Sequence, residues 1–265
     1  MTFNDKKFQL KSYTVGDVKI SCVDREQAVD MLLHIASQKR GGFITVTSAH
    51  GIVESQSDDH LRQIINSAEM TLADGTPIVW VGMLKGAPVR RVTGAEFVNR
   101  VMHDTRTSNL RHYFYGGQPS TTSRVVARAI EQLGANAIAG WHCPPFREAG
   151  ILEDPIVVKR IAETKPDIIW VGLSTPKQEY WMANHAKLFP QTLLVGVGAA
   201  FDFFAGVQSR APKTVQKFGF EWLFRLVKEP RRLWPRYRRV VPGMLKVLFA
   251  EAIGRRYSGT SSSCR

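Results

Sequence analysis

A chain of 265 residues, 44% of them hydrophobic, is long enough for one substantial α/β domain with a small addition and too short for two full domains. Its three cysteines, Cys22, Cys143 and Cys264, lie far apart, which argues against a disulfide framework or a thiolate metal site and for a reducing compartment. The net charge of +13 is lopsided: from Gln208 onward fourteen basic residues face three acidic ones, a net +11, which leaves only +2 for the rest. The opening residues lack the long apolar stretch of a signal peptide, and no later run is long enough to span a bilayer. The expectation is a protein neither exported by that route nor integral to a membrane.

In chain order, SYTVGDVKISC reads as a small hairpin with Gly16-Asp17 in the turn. FITVT, HYFYGG, NAIAGW, DIIWVGL and TLLVGVG then read as strands. Between them, GIVESQSDDHLRQIINSA, GAEFVNRVMHDTR, PSTTSRVVARAIEQLG and TPKQEYWMANHAKLF space apolar residues by three and four, as amphipathic helices do. That alternation predicts an α/β fold, a Rossmann-like, mostly parallel sheet with flanking helices, over residues 1–211. After Ala211-Pro212 the strand signals stop and a basic, aromatic, helical text follows, predicted as an appendage over 212–257. Pro230 and Pro235 are expected to break it into short helices, because each lacks a backbone donor. Residues 258–265, SGTSSSCR, have a disordered composition.

Ligands of open parallel sheets bind beyond the carboxyl ends of the strands, so polar residues just after each strand are the first candidates. Thr47, Ser48 and His50 follow one strand, although taken alone this is a helix N-cap. Asp74 stands before Gly75-Thr76-Pro77, where a carboxylate could take a proton from a hydroxyl; the plainer reading is a turn that starts a helix. Arg90 and Arg91 precede a helix beginning near Gly94, a pairing suited to a diphosphate but also common on surfaces. Gly116-Gly117 permits close backbone approach to phosphate or ribose, yet it lacks the spacing of a dinucleotide motif. Lys177, Gln178 and Glu179 open a helix after a strand, and Asp202 sits among aromatics, where an isolated carboxylate is costly. Asp58-Asp59-His60 could suggest a metal, but it falls inside a predicted helix and reads as a solvated face.

Taken in order, TVTSAHG, LADGTPIVW, RVTGAEF, YGGQPS, KPDIIWVGLSTPKQEYW, VGVGAAFDFFAG and FEWLFRLVKEPRRLWPRY resemble the WecG/TagA/CpsF family of bacterial glycosyltransferases, from about Gly42 to about Val241. The resemblance implies inverting transfer of a hexose or N-acetylhexosamine from a UDP-sugar to an undecaprenyl-diphosphate-linked saccharide in surface polysaccharide or exopolysaccharide biosynthesis. It implies no metal or other cofactor. By it, Asp74 matches the catalytic base, Thr47 a substrate-contacting threonine, Arg91 an arginine of the same site, and Gln178 and Asp202 further active-site positions. Arg225, Arg232 and Arg236 match arginines that hold the diphosphate on an appendage that docks on the membrane and completes the site. The chain departs from the pattern at Ala49, where many relatives have asparagine.

The appendage interleaves its cations with Trp222, Phe224, Leu226, Leu233, Trp234, Tyr237, Leu245, Leu248 and Phe249. That mixture suits an anionic bilayer, with aromatics at headgroup depth, whereas a nucleic-acid binder has no need of the apolar residues. A non-catalytic nucleotide- or nucleic-acid-binding module and a peripheral membrane scaffold are the rival classes. Neither accounts for polar strand ends and basic appendage together. The expectation is a cytoplasmic enzyme on the inner face of the membrane, with no nucleic-acid partner and with self-association left open.

Overall fold

The computed structural model describes residues 10–254 apart from 147, 210 and 218. The predicted disordered tail, the last residues of the predicted appendage and Cys264 lie outside them. Strands β1 (Ser12–Val15) and β2 (Val18–Ser21) form the expected antiparallel hairpin, with Asp17 at φ 64° in its turn. Helix α1 (Arg25–Ser37) follows, closed by a capping box in which Asp24 accepts from the Gln27 amide and Gln27 accepts from the Asp24 amide. Next come β3 (Gly42–Thr47), α2 (Ala49–Glu54), α3 (Asp59–Asn66), β4 (Met70–Ala73), α4 (Thr76–Leu84) and α5 (Gly94–Asp104). The second half holds β5 (His112–Gly116), α6 (Pro119–Leu133), β6 (Ile138–His142), α7 (Pro155–Glu163), β7 (Ile168–Gly172), α8 (Lys177–His185), β8 (Leu193–Gly196) and α9 (Ala200–Phe204). Helices α10 (Lys213–Lys217), α11 (Glu221–Lys228) and α12 (Pro230–Ala252) end the described chain.

Six strands form one parallel sheet in the order β4-β3-β8-β7-β5-β6. The central strands are apolar on both faces, as a sheet covered twice requires. On one face Phe97, Val101, Val125 and Phe204 of α5, α6 and α9 pack with α1 against Ile44, Trp170 and Val195. On the other, Ile64, Ile161, Trp181 and Met182 of α3, α7 and α8 cover Ile169, Val171 and Leu194. The carboxyl ends of β3, β4, β5, β7 and β8 therefore open on one edge, where the candidate residues cluster.

Two predicted boundaries differ. The single helix expected over 51–68 is two, because the Asp58 carboxylate accepts from the Leu61 amide at 2.9 Å and caps α3. Asp58 also accepts from the Tyr180 hydroxyl at 2.8 Å, so it is a cap tied to α8 rather than part of a helical solvated face. Pro235 does not break the appendage: α12 runs 23 residues with Pro235 and Pro242 inside it. A helical proline costs about 3 kcal/mol. Leu233, Val240, Met244 and Val247, spaced by seven, four and three, are all buried, and each buried apolar side chain contributes about 1.5–3 kcal/mol. The buried stripe outweighs the breakers.

Met244 and Val247 enter the same apolar cluster as Tyr13, Val15, Ile52 and Ile78. Arg239 Nη2 lies 3.4 Å from Glu54 Oε1 of α2. The appendage is thus seated on the α/β body by both apolar burial and charge.

Candidate active site

Beyond the carboxyl ends of the strands the chain encloses two neighbouring cavities. The smaller, of about 360 Å³, lies over β3 and β4 and is lined by Asp74, His50, Arg91 and Thr93, with Trp80, Trp222, Tyr237 and Leu245 as its apolar wall. The larger, of about 700 Å³, lies over β5 and β7 and is lined by Gly117, Ser174, Lys177, Asp202 and Arg232. Arg225, Arg236 and Ala199 line both. Two arginines from the appendage therefore stand at the junction of two chambers built by the sheet.

Asp74 follows β4, and its amide donates to the Thr47 carbonyl at 2.9 Å, which extends the β3–β4 pairing one residue past the strands. The Gly94 N–H, in the first turn of α5, lies close enough to the Asp74 carboxylate to favour the charged form. Burial, reinforced by the nearby Glu221 carboxylate, pushes its pKa up to about 7, against the pull of Arg91, the Gly94 N–H and Arg225. A carboxyl poised near neutrality holds and releases a proton readily. Arg91 Nη1 lies 3.6 Å from Glu221 Oε2 and 3.5 Å from the Gln216 carbonyl, so this arginine fastens α10 and α11 over Asp74. His50 meets Glu54 at 3.3 Å; burial and the Arg236 charge lower its pKa to about 4, which keeps the ring neutral near pH 7.

In the larger cavity, burial raises the Asp202 pKa, opposed by Arg232 and Arg225. Arg232 Nε donates to Glu229, which also accepts from Gln208 Nε2 at 2.7 Å. Arg225 stacks over the Phe203 ring at 5.4 Å, and its Nε is buried without a hydrogen-bond partner. Burial lowers the pKa of Arg236. Gly117, at φ 73°, lines the cavity, and a Cβ there would meet Thr122 Oγ1 at 2.6 Å.

Five of the sequence-derived candidates, Thr47, Arg90, Gly116, Gln178 and Glu179, line neither cavity. Thr47 is 1% exposed, and its hydroxyl lies 3.4 Å from that of Thr45; it meets Asp74 through its carbonyl. Gln178 is 2% exposed, and its Nε2 donates to Glu179 Oε1 at 3.0 Å. Its Oε1 is buried without a partner and would stand 3.4 Å from a Cβ on Gly198, a residue of the larger cavity's wall. Gly116 packs against the Gly172 backbone and accepts from Thr122 Oγ1 at 2.7 Å, so it supports the Gly117 turn from behind. Arg90 is exposed, unlike Arg91. Asp74, Arg91, Asp202, Gly117, Arg225, Arg232 and Arg236 do converge. Sequence reasoning does not find Glu221 or Trp80: Glu221 lies 147 positions after Asp74, and nothing local in FEWLF signals its target.

Among the described residues no group of three or more His, Cys, Asp and Glu side chains is arranged to hold a metal ion, and Cys22 and Cys143 are not joined in a disulfide. No helix among them is long and apolar enough to cross a membrane.

Comparison with known proteins gives these cavities a context. A curated relative, the N-acetylglucosaminyldiphosphoundecaprenol N-acetyl-beta-D-mannosaminyltransferase of Bacillus spizizenii (strain ATCC 23059 / NRRL B-14472 / W23), is 29% identical over 200 residues, which cover 75% of this chain and 76% of the relative. The model of the glycosyl transferase WecG/TagA/CpsF family matches residues 13–258, from the first hairpin through the appendage. On that match the chain belongs to the WecG/TagA/CpsF family of glycosyltransferases.

Proposed function

We propose that the protein transfers a hexose or N-acetylhexosamine, with inversion, from a UDP-sugar in the larger cavity to an undecaprenyl-diphosphate-linked saccharide in the smaller. One observation carries this reading: a carboxyl poised near pH 7 lines one chamber, and two arginines join that chamber to a second. The Asp74 carboxylate takes the proton from the acceptor hydroxyl as its oxygen bonds to the anomeric carbon. The bond from that carbon to the UDP oxygen breaks on the opposite face, and the configuration inverts. Charge released on the diphosphate is met by Arg225, Arg232 and Arg236, which act as preorganised donors. Asp74 then returns its proton to water. Thr47, Gln178 and Gly116 position the backbone and walls of this site from behind. The activity of the Bacillus relative, which concerns a diphosphoundecaprenol-linked N-acetylglucosamine, favours an acceptor of the same kind here.

Because arginines meet the leaving charge, transfer is expected to proceed at an unchanged rate in EDTA. Loss of activity on chelation, restored by magnesium or manganese, would pass that role to a cation. Direct assay of a panel of UDP-sugars against a lipid-diphosphate saccharide tests the reading as a whole, with the nucleotide diphosphate and the inverted product as its required outcomes.

The same reading seats the appendage on the inner face of the cytoplasmic membrane. Each cation at the surface contributes about 1 kcal/mol, attenuated by salt. Vesicle binding is expected to weaken as ionic strength rises without vanishing, because apolar insertion responds little to screening; complete release at moderate salt would leave a purely electrostatic contact.

A further inference from the structure

The appendage accounts for the cations of a membrane face, but an uncharged, exposed apolar surface beside the site belongs to the α/β body. Helix α4, TPIVWVGML, carries no charged residue. Ile78, Val81 and Gly82 bury one side of it against the first hairpin, where the Tyr13 hydroxyl donates to the Ile78 carbonyl at 3.1 Å. Trp80, Met83 and Leu84, three and four residues apart, share another side and face outward, with Met83 66% and Leu84 76% exposed. One turn earlier the same stripe continues as Thr76 and Pro77, which with Trp80 line the cavity of Asp74. A single apolar ridge thus runs from the reacting carboxylate to the molecular surface.

A second ridge runs beside it. Val241, Leu245 and Phe249 of α12, with Ile253 just beyond, follow at four-residue spacing; Val241 and Leu245 line the cavity, and Phe249 and Ile253 are exposed. The outer ends of the two ridges are joined where Lys85 Nζ meets Glu251 Oε2 at 2.7 Å. Glu251, the one acidic residue in α4 or α12, is occupied there and also accepts from the Gly16 amide at 3.0 Å. Arg238, Arg239 and Lys246 stand exposed on α12 around the ridges.

We propose that α4 inserts beside the C-terminal half of α12 into the headgroup–acyl boundary of an anionic bilayer, and that the two ridges form the mouth through which the acceptor's lipid tail leaves the active site. This rests on the reading of the acceptor as lipid-linked. Apolar ridges rimmed by cations match an anionic lipid surface. A second copy of the chain suits the face poorly, because it would bring two rows of arginine and lysine together.

The test uses the full chain and vesicles of phosphatidylcholine with phosphatidylglycerol. Met83→Gln/Leu84→Gln, which changes no charge, is expected to weaken vesicle binding about tenfold or more, since each inserted side chain withdraws substantial apolar area from water. Transfer to a short-chain, water-soluble diphosphate-saccharide stays as in the parent, and transfer to the same saccharide on a vesicle-embedded lipid falls with binding. Met83→Leu/Leu84→Phe, which keeps the face apolar, retains binding. Brominated lipids quench the parent more than Trp80→Phe. Equal vesicle binding by parent and Gln variant overturns the proposal, and so does weakened binding by the Leu/Phe variant. Unchanged vesicle binding with a smaller oligomer in sedimentation assigns the face to a second copy instead. If neither protein transfers sugar to either acceptor while vesicle binding still depends on Met83 and Leu84, the glycosyl-transfer reading fails and the membrane face stands.

Discussion

Replacement of Asp74 by asparagine is expected to lower kcat roughly a hundredfold or more while UDP affinity stays close to that of the parent. The amide keeps the size of the side chain but cannot take the acceptor proton, and the diphosphate is held elsewhere, by Arg225, Arg232 and Arg236. In the parent, kcat should rise with pH and level off above about 7, the value to which burial and Glu221 push this carboxyl. The variant should have lost that limb. Stability moves the other way. In the unfolded chain the carboxyl ionises near pH 4, while in the folded protein it holds its proton to about 7. The folded state is therefore penalised progressively from about pH 4 to about pH 7, and fully above that. The Asp74→Asn protein carries no such penalty, so thermal melts should show the variant equal to the parent near pH 4 and more stable at pH 8. Near-normal turnover, or a parent pH profile flat across 6 to 8, would remove Asp74 from the role of base.

The alternation of β-rich and amphipathic segments made the parallel sheet legible, because a doubly covered strand such as Ile168–Gly172 has to be apolar throughout. Less legible was β4, whose four residues, Met70–Ala73, are too few to carry a period. Helix α1 went unread although its Asp24-Gln27 capping box stands in the sequence. The break before α3 has its signal in Asp58, a residue type that serves as a surface charge and as a cap alike, and only the fold shows that it caps α3. In the appendage, proline chemistry suggested short helices. Pro230 does separate α11 from α12, but burial of Leu233, Val240, Met244 and Val247 carries α12 through Pro235, and for Met244 and Val247 that depends on a surface formed by the first third of the chain, which no local pattern describes. The site divides in the same way. Asp74, Asp202 and Gly117 follow strands and could be found from strand ends alone. Which wall each residue faces could not: Thr47 points back into the sheet, and Gln178 stands behind Gly198.

Arg225 is the residue on which the two chambers most depend, and Arg225→Ala is expected to cut kcat/KM roughly a hundredfold or more. The side chain lines both cavities, stacks on Phe203 at 5.4 Å and keeps a buried Nε without a partner. A buried guanidinium N–H left unpaired is costly, and a hydrogen bond to a charged acceptor contributes about 1.5–3 kcal/mol. A diphosphate at the junction satisfies that donor when it binds and more strongly as charge develops on the leaving oxygen. The loss should thus appear in kcat as well as in KM for the UDP-sugar. Arg225→Lys should recover little, because an ammonium retains the charge but neither the planar fork nor the stacking on Phe203. Arg231→Ala is the control: Arg231 is exposed, lies on the same appendage and lines neither cavity. It removes one unit of the same charge, so its effect should be confined to vesicle binding. If Arg225→Ala and Arg231→Ala lowered kcat/KM on a water-soluble acceptor equally, the appendage would act through its overall field alone, and the diphosphate would have to be held by other groups of the larger cavity.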